Sequence, residues 1–210
     1  MTYKALLIDW AGTITCSLPE MVLTAAAALE LTPDEMSKAF SGLASYLSES
    51  DSILHQAERG EIDDAELRAW IDGLSPGAGR LFDPDQPGIF QTPDRPEMIA
   101  LMADARAAGL TVVVATNNFA SADAMLQTRY IDSGVADHIV NSASIGIRKP
   151  DEAFFDASLA AAACLASEAV FFDDMQRNTD AAAALGIDSV LVSANMARAI
   201  TDLRTLLGLV

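Results

Sequence analysis

Four short apolar runs recur along the chain, and each stops at polar residues. Ala5-Leu6-Leu7-Ile8 stops at Asp9, and Thr111-Val112-Val113-Val114-Ala115 at Thr116-Asn117-Asn118. Ala169-Val170-Phe171-Phe172 stops at Asp173-Asp174, and Ser189-Val190-Leu191-Val192 at Ser193. Continuous apolar runs without alternation predict strands buried on both faces, as in a parallel sheet. Helical periodicity lies between them. Met98, Leu101, Met102 and Ala105 predict a helix from Pro96 to Ala108, stopped by Gly109. Further helices are predicted over Glu152–Leu165 with Asp151 as N-cap, Asn178–Leu185 closed by Gly186, and Met196–Leu207. Strand–helix alternation at these spacings predicts a doubly wound, Rossmann-like α/β fold with a parallel sheet.

Residues 16–91 break this rhythm. No strand pattern occurs there. Helices are predicted over Pro19–Leu31, from Thr32 onward, up to Gly60, and over Asp63–Ile71. Thr32, Pro33 and Glu35 form a capping-box signature with proline at the first helical position. The return stretch 75–93 carries Pro76, Pro84, Pro87 and Pro93 with several glycines, the composition of irregular chain. The predicted organisation is an α/β core of residues 1–15 and 92–210, with a helical cap of residues 16–91 inserted after the first strand.

In a parallel α/β sheet, ligands bind beyond the carboxyl ends of the strands. Asp9, Thr116, Asp173 and Asp174 all fall at such ends, and Lys149 precedes a predicted helix in Arg148-Lys149-Pro150-Asp151. A carboxylate can attack phosphorus. Several carboxylates on one rim suit Mg²⁺, which takes oxygen ligands and keeps waters. A hydroxyl and an ammonium can hold phosphate oxygens and offset their charge. These groups together point to phosphoryl transfer.

Composition narrows the partners. The chain of 210 residues has 51% hydrophobic and 20% charged residues, a globular composition. Thirteen basic against 30 acidic residues give a formal charge of −17, and the lysines are Lys4, Lys38 and Lys149. No basic stripe exists to neutralise nucleic-acid phosphates, so a nucleic-acid partner is not expected. A small anionic substrate is still possible where local cations or a metal override the overall field. No apolar run reaches the roughly 18 residues of a membrane span, and the N-terminal segment is too short for a secretory signal. Cys16 and Cys164 make neither a disulfide framework nor a zinc pattern. A reducing, cytoplasmic location is expected.

The same residues carry a resemblance. The sequence resembles the haloacid dehalogenase-like hydrolase superfamily over essentially the whole chain. The first motif, Asp-x-Asp-x-Thr after a strand, reads Asp9-Trp10-Ala11-Gly12-Thr13 here. Thr116 matches the second, Lys149 the third, and Asp173-Asp174 the acidic pair of the fourth. The helical insert falls where this family carries a helical cap. The resemblance implies that Asp9 is the nucleophile and a Mg²⁺ ligand. It implies the Ala11 carbonyl and Asp174 as further ligands, with Asp173 near the metal. Thr116, Asn117 and Lys149 would hold the phosphate. Thr13 and Trp10 complete the expected substrate-binding set.

One departure limits the inference. Ala11 stands where phosphatases of the family carry the aspartate that protonates the leaving oxygen and later activates water. General acid–base help is worth roughly 10²–10⁴-fold, so alkyl phosphomonoesters should be poor substrates. Three readings follow: a Mg²⁺-dependent phosphohydrolase or phosphotransferase, a C–P or C–halogen hydrolase, or a non-catalytic binding protein. Phosphonoacetaldehyde hydrolases share the Asp-Trp-Ala-Gly-Thr string but need a cap lysine. Lys38 is the one lysine in the insert, while the family position falls nearer Ala44. His55 and His138 are expected to serve packing. Tyr46 and Phe40 belong to a predicted cap helix.

Overall fold

The computed structural model describes residues 3–38, 51–192 and 195–209. Phe40, Ala44 and Tyr46 lie outside the described residues. Five parallel strands form one sheet: β1 (Ala5–Ile8), β2 (Thr111–Thr116), β3 (His138–Asn141), β4 (Ala169–Asp173) and β5 (Asp188–Leu191). The spatial order is β3-β2-β1-β4-β5, so the chain winds one way from β1 and resumes on its other side. The C-terminal end of β1 is therefore the topological switch point, where helices diverge and a crevice opens. In register, Ile8 lies beside Val114 on one side and Phe172 on the other. That brings Asp9 next to the ends of both neighbouring strands.

Alternate side chains separate onto the two faces. Leu6, Ile8, Val112, Val114, Val170 and Phe172 join one buried cluster, which takes in Met98, Leu101 and Met102 of helix α4 (Pro96–Ala107) and Leu203 of α9 (Met196–Leu207). Ala5, Leu7, Val113, Ala115 and Phe171 face the other way, against Phe154 and Phe155 of α7 (Glu152–Ala162) and Ala182 of α8 (Gln176–Ala184). Both faces of β1, β2 and β4 are covered, which explains their unbroken apolar runs; β5, predicted to be buried on both faces, is instead an edge strand with no buried residue. Asp151 precedes α7 but makes no side-chain cap, and α7 ends at Ala162, three residues inside the predicted limit, with Ala163 left-handed at φ +50 after it.

β3, flanked by the short helices α5 (Ala122–Leu126) and α6 (Ser142–Ile145), is the strand that the apolar pattern did not predict. It is a four-residue edge strand with exposed His138 at one end and Asn141 at the other. Such a segment needs little hydrophobicity: Val140 packs, while buried Asn141 is satisfied by donating to Phe119 O at 3.0 Å.

Between β1 and β2 the named elements are helical. They are α1 (Leu18–Ala28), α2 (Ile53–Glu58), α3 (Asp64–Leu74) and short 3₁₀ turns; residues 33–38 are also helical. Glu20 accepts from Ser17 N at 2.9 Å and Glu35 from Thr32 N at 2.7 Å, so backbone donors at both helix starts are satisfied. The excursion leaves and returns at one place: Thr15 and Asp94 form an antiparallel bridge, and Arg95 N donates to Ile14 O at 2.8 Å. Met21, Val22, Leu54, Leu67 and Ile71 from it belong to the same buried cluster as Leu6 and Ile8. Among the described residues, no helix is long and apolar enough to cross a membrane.

Candidate active site

The site begins at a turn. After β1, Trp10–Ile14 coil tightly, but Ala11 is extended (φ −72, ψ 128) and Gly12 is left-handed at φ +81. A side chain at Gly12 is excluded twice. The conformation disfavours it, and an added Cβ would lie 2.0 Å from Asp174 Oδ2. The glycine thus lets the β1 and β4 loops approach.

Lys149 joins three elements. Its ammonium is 2.7 Å from Asp9 Oδ1 and 2.6 Å from Asp173 Oδ2, and its side chain is 1% exposed. The backbone holds it there: Lys149 N donates to Asn117 Oδ1 at 2.8 Å, and Asn117 Nδ2 donates to Lys149 O at 3.0 Å. The ring of Phe171 lies beneath the ammonium, 5.3 Å from it. Asp173 is fully engaged. Its Oδ1 accepts from Met175 N at 2.7 Å, and Asn178 Nδ2 donates to both oxygens at 3.0 and 3.1 Å. Asp173 therefore anchors Lys149 and the loop that follows β4.

Asp9, Asp173 and Asp174 each present a carboxylate oxygen within 4.8 Å of the others. With all three ionised, one ammonium faces three negative charges. Burial pushes the Asp9 carboxyl up to about 8, opposed by Lys149 and helped by Asp173 and Asp174. Burial, with Asp173, pushes Asp174 up to about 6. Burial works to lower Lys149, but Asp173 and Asp9 outweigh it and hold the ammonium charged. A set of hard oxygen donors with surplus negative charge fits a hard divalent cation such as Mg²⁺.

A cleft of about 130 Å³ opens over these groups, lined by Asp9, Ala11, Asn117, Lys149 and Asp174, and by Leu18, Glu58 and Ile89 of the excursion. The expected site residues do not all meet there. Thr116 is fully buried at the end of β2, outside the cleft lining, and its hydroxyl donates to Asn117 O at 3.4 Å. Thr13 is fully buried, and its hydroxyl has no hydrogen-bond partner among the described residues. Trp10 borders the cleft, but its indole N–H is committed to Tyr130 Oη at 2.8 Å. Lys38 pairs with Asp34 at 2.7 Å, is half exposed, and is not among the lining residues.

Three participants escaped the sequence patterns. Asn118 lines the cleft with its Nδ2 buried and without a partner among the described residues. Only the Thr-Asn-Asn string after β2 hinted at it. Glu58 and Arg148 form a buried ion pair at 2.7 Å, across 90 positions of sequence. No local spacing could have shown it.

The sequence pattern of the haloacid dehalogenase-like hydrolases matches residues 3–186. The chain belongs to this family. Among solved structures of haloacid dehalogenase-like proteins, the HAD family enzyme BT-2542 of Bacteroides thetaiotaomicron is 18% identical, with a TM-score of 0.65 over 92% of this chain and 95% of that one. BT-2542 has also been solved in complex with magnesium and inorganic phosphate. The HAD-hydrolase YfnB of Bacillus subtilis, bound to magnesium, is 14% identical with a TM-score of 0.67, covering 99% of both chains. At these identities the likeness establishes the shared fold. Mouse acyl-CoA dehydrogenase family member 10 is 36% identical over 115 residues, which are 54% of this chain and 10% of that much longer protein.

Proposed function

We propose that this haloacid dehalogenase-like hydrolase is Mg²⁺-dependent and acts on a small phosphorylated metabolite through an aspartyl-phosphate at Asp9. The observation that carries this reading is the Lys149 ammonium held between Asp9 and Asp173, with Asp174 completing a compact carboxylate cluster at the cleft floor. Asp9 supplies the attacking oxygen. The bond from phosphorus to the leaving oxygen breaks as the bond to Asp9 forms. Lys149, fixed at two carboxylates and by Asn117, is preorganised to offset charge on the phosphate oxygens without moving. Asp9, Asp174 and the Ala11 carbonyl would hold Mg²⁺, which supplies charge neutralisation and orientation of the phosphate.

Ala11 lines the cleft without a proton to give. The favoured substrates are therefore those whose leaving group departs unprotonated, and acyl phosphates are the chemical class that fits. Residues 16–91 serve as the cap that selects among them. The metal-type cluster favours this reading over a dehalogenase, and no observation places a lysine of the insert at the cleft for Schiff-base chemistry. The test is inorganic phosphate and halide release, with and without Mg²⁺, across acyl phosphates, phosphomonoesters, phosphonates and haloacids. Mg²⁺-dependent phosphate release from acyl phosphates is expected. Halide release without Mg²⁺, or no release from any class, would overturn the proposal.

A further inference from the structure

Ala11 leaves the second half of the reaction without a base, since water must lose a proton as it attacks the phosphoenzyme. Among the described residues lining the cleft, the ionisable ones are Asp9, Glu58, Lys149 and Asp174. Asp9 is the phosphorylated group. Lys149 is held as a cation by two carboxylates, and Asp174 belongs to the metal cluster. Glu58 is the carboxylate left over. We propose that Glu58, carried by the helical insert, is the general base that hydrolyses the aspartyl-phosphate in place of the aspartate absent at position 11. This rests on the reading of Asp9 given above.

Two features hold Glu58 over the cleft. Its Oε2 accepts from Arg148 Nε at 2.7 Å, with both side chains less than 10% exposed. Arg148 precedes Lys149, whose backbone is pinned by Asn117, so the cap carboxylate is tied to the loop that supplies the phosphate-binding ammonium. Two residues after Glu58 the chain touches the core: Gly60 is left-handed, and a Cβ there would lie 2.7 Å from Ala143 O.

In the step, the water oxygen bonds to phosphorus as its proton passes to Glu58. The phosphorus–oxygen bond to Asp9 breaks, and its electron pair returns to the Asp9 carboxylate. Inorganic phosphate leaves, and Glu58 gives the proton to solvent.

The experiment uses acetyl phosphate with Mg²⁺, quenched in acid at short times, with mass spectrometry of the Asp9 peptide beside phosphate release. In Glu58→Gln, phosphorylation of Asp9 should proceed while hydrolysis of the phosphoenzyme slows by about 10²-fold, so labelled protein accumulates. Adding Ala11→Asp to Glu58→Gln should restore hydrolysis in part. Wild-type hydrolysis of the phosphoenzyme by Glu58→Gln overturns the assignment. So does equal slowing of both steps with Mg²⁺ affinity unchanged, the result expected of a merely structural clamp. If Glu58→Gln does not fold, Glu58→Asp replaces it, and labelled protein should again accumulate, about 10-fold over wild type; no accumulation overturns the assignment. A wild-type protein that neither labels at Asp9 nor releases phosphate removes the phosphohydrolase reading first, and this one with it.

Discussion

Gly12 and Asp174 meet in the gap between the ends of β1 and β4, so closely that a methyl group on Gly12 would overlap the Asp174 carboxylate. The contact sets how near Asp174 comes to Asp9. Gly12→Ala should cost about 1–2 kcal/mol for the left-handed backbone alone. It should also displace Asp174 and weaken Mg²⁺ binding roughly 10-fold or more. Urea unfolding and isothermal titration with Mg²⁺ measure the two effects. Unchanged Mg²⁺ affinity in a destabilised protein would separate Asp174 from the metal site.

Lys149 neutralises two buried carboxylates, so removing its charge leaves both uncompensated. Lys149→Met should destabilise the protein by about 3 kcal/mol or more, a fall in Tm of roughly 6–12 °C. Phosphate release from acetyl phosphate should be lost at temperatures where the variant is still folded. Thermal unfolding followed by circular dichroism, with activity measured below the transition, checks both.

Ala11→Asp tests the missing acid. Turnover of alkyl phosphomonoesters should rise by up to about 10²-fold, and that of acyl phosphates much less, because a leaving carboxylate needs little protonation. Rates are compared at saturating Mg²⁺. A variant that binds Mg²⁺ and leaves both substrate classes equally inert would favour a binding protein.

Trp10 is placed by a buried chain of hydrogen bonds. Its N–H donates to Tyr130 Oη, and Tyr130 donates to Asp94 Oδ1 at 2.6 Å. Asp94 also pairs with Arg129 at 2.8 Å and sits on the return crossing of the insert. Burial and the neighbouring Asp94 raise the Tyr130 phenol well above its usual range, so it stays a donor. Tyr130→Phe orphans the Trp10 N–H and an Asp94 oxygen, and should cost about 1–3 kcal/mol. A shifted tryptophan emission maximum should accompany a lower urea midpoint. An unchanged midpoint would mean that the chain adds nothing to stability.

Asp137 supplies an acid-sensitive contact away from the site. Burial tends to raise its carboxyl, but bonds from Arg106 and Val112 N outweigh that and hold it below the usual range. A carboxyl depressed on folding stabilises the protein above its unfolded pKa of about 3.9, and the gain fades as pH falls through the lower folded value. Asp137→Asn should lower stability at pH 7 by on the order of 1 kcal/mol. The gap to wild type should narrow below about pH 4, as urea midpoints at pH 7 and pH 3 would register.

Local pattern determined much of this protein by itself. Strands buried on both faces must be apolar throughout, so β1, β2 and β4 and the polar residues closing them, Asp9, Asp173 and Asp174 among them, were legible; β5, a half-exposed edge strand, showed by its short apolar run alone, and Lys149 by its place before a helix. The motif Asp9-Trp10-Ala11-Gly12-Thr13 carried the family and exposed its own departure at Ala11. β3 was not legible, because a four-residue edge strand with polar ends carries almost no periodic signal. Tertiary structure alone assigned Asp173 to Lys149, turned Trp10 toward Tyr130, and set Glu58 of the insert against Arg148 at the cleft. Those pairs span 24, 120 and 90 positions. Which distant groups meet depends on how helices and loops pack over the sheet, and no spacing along the chain records that geometry.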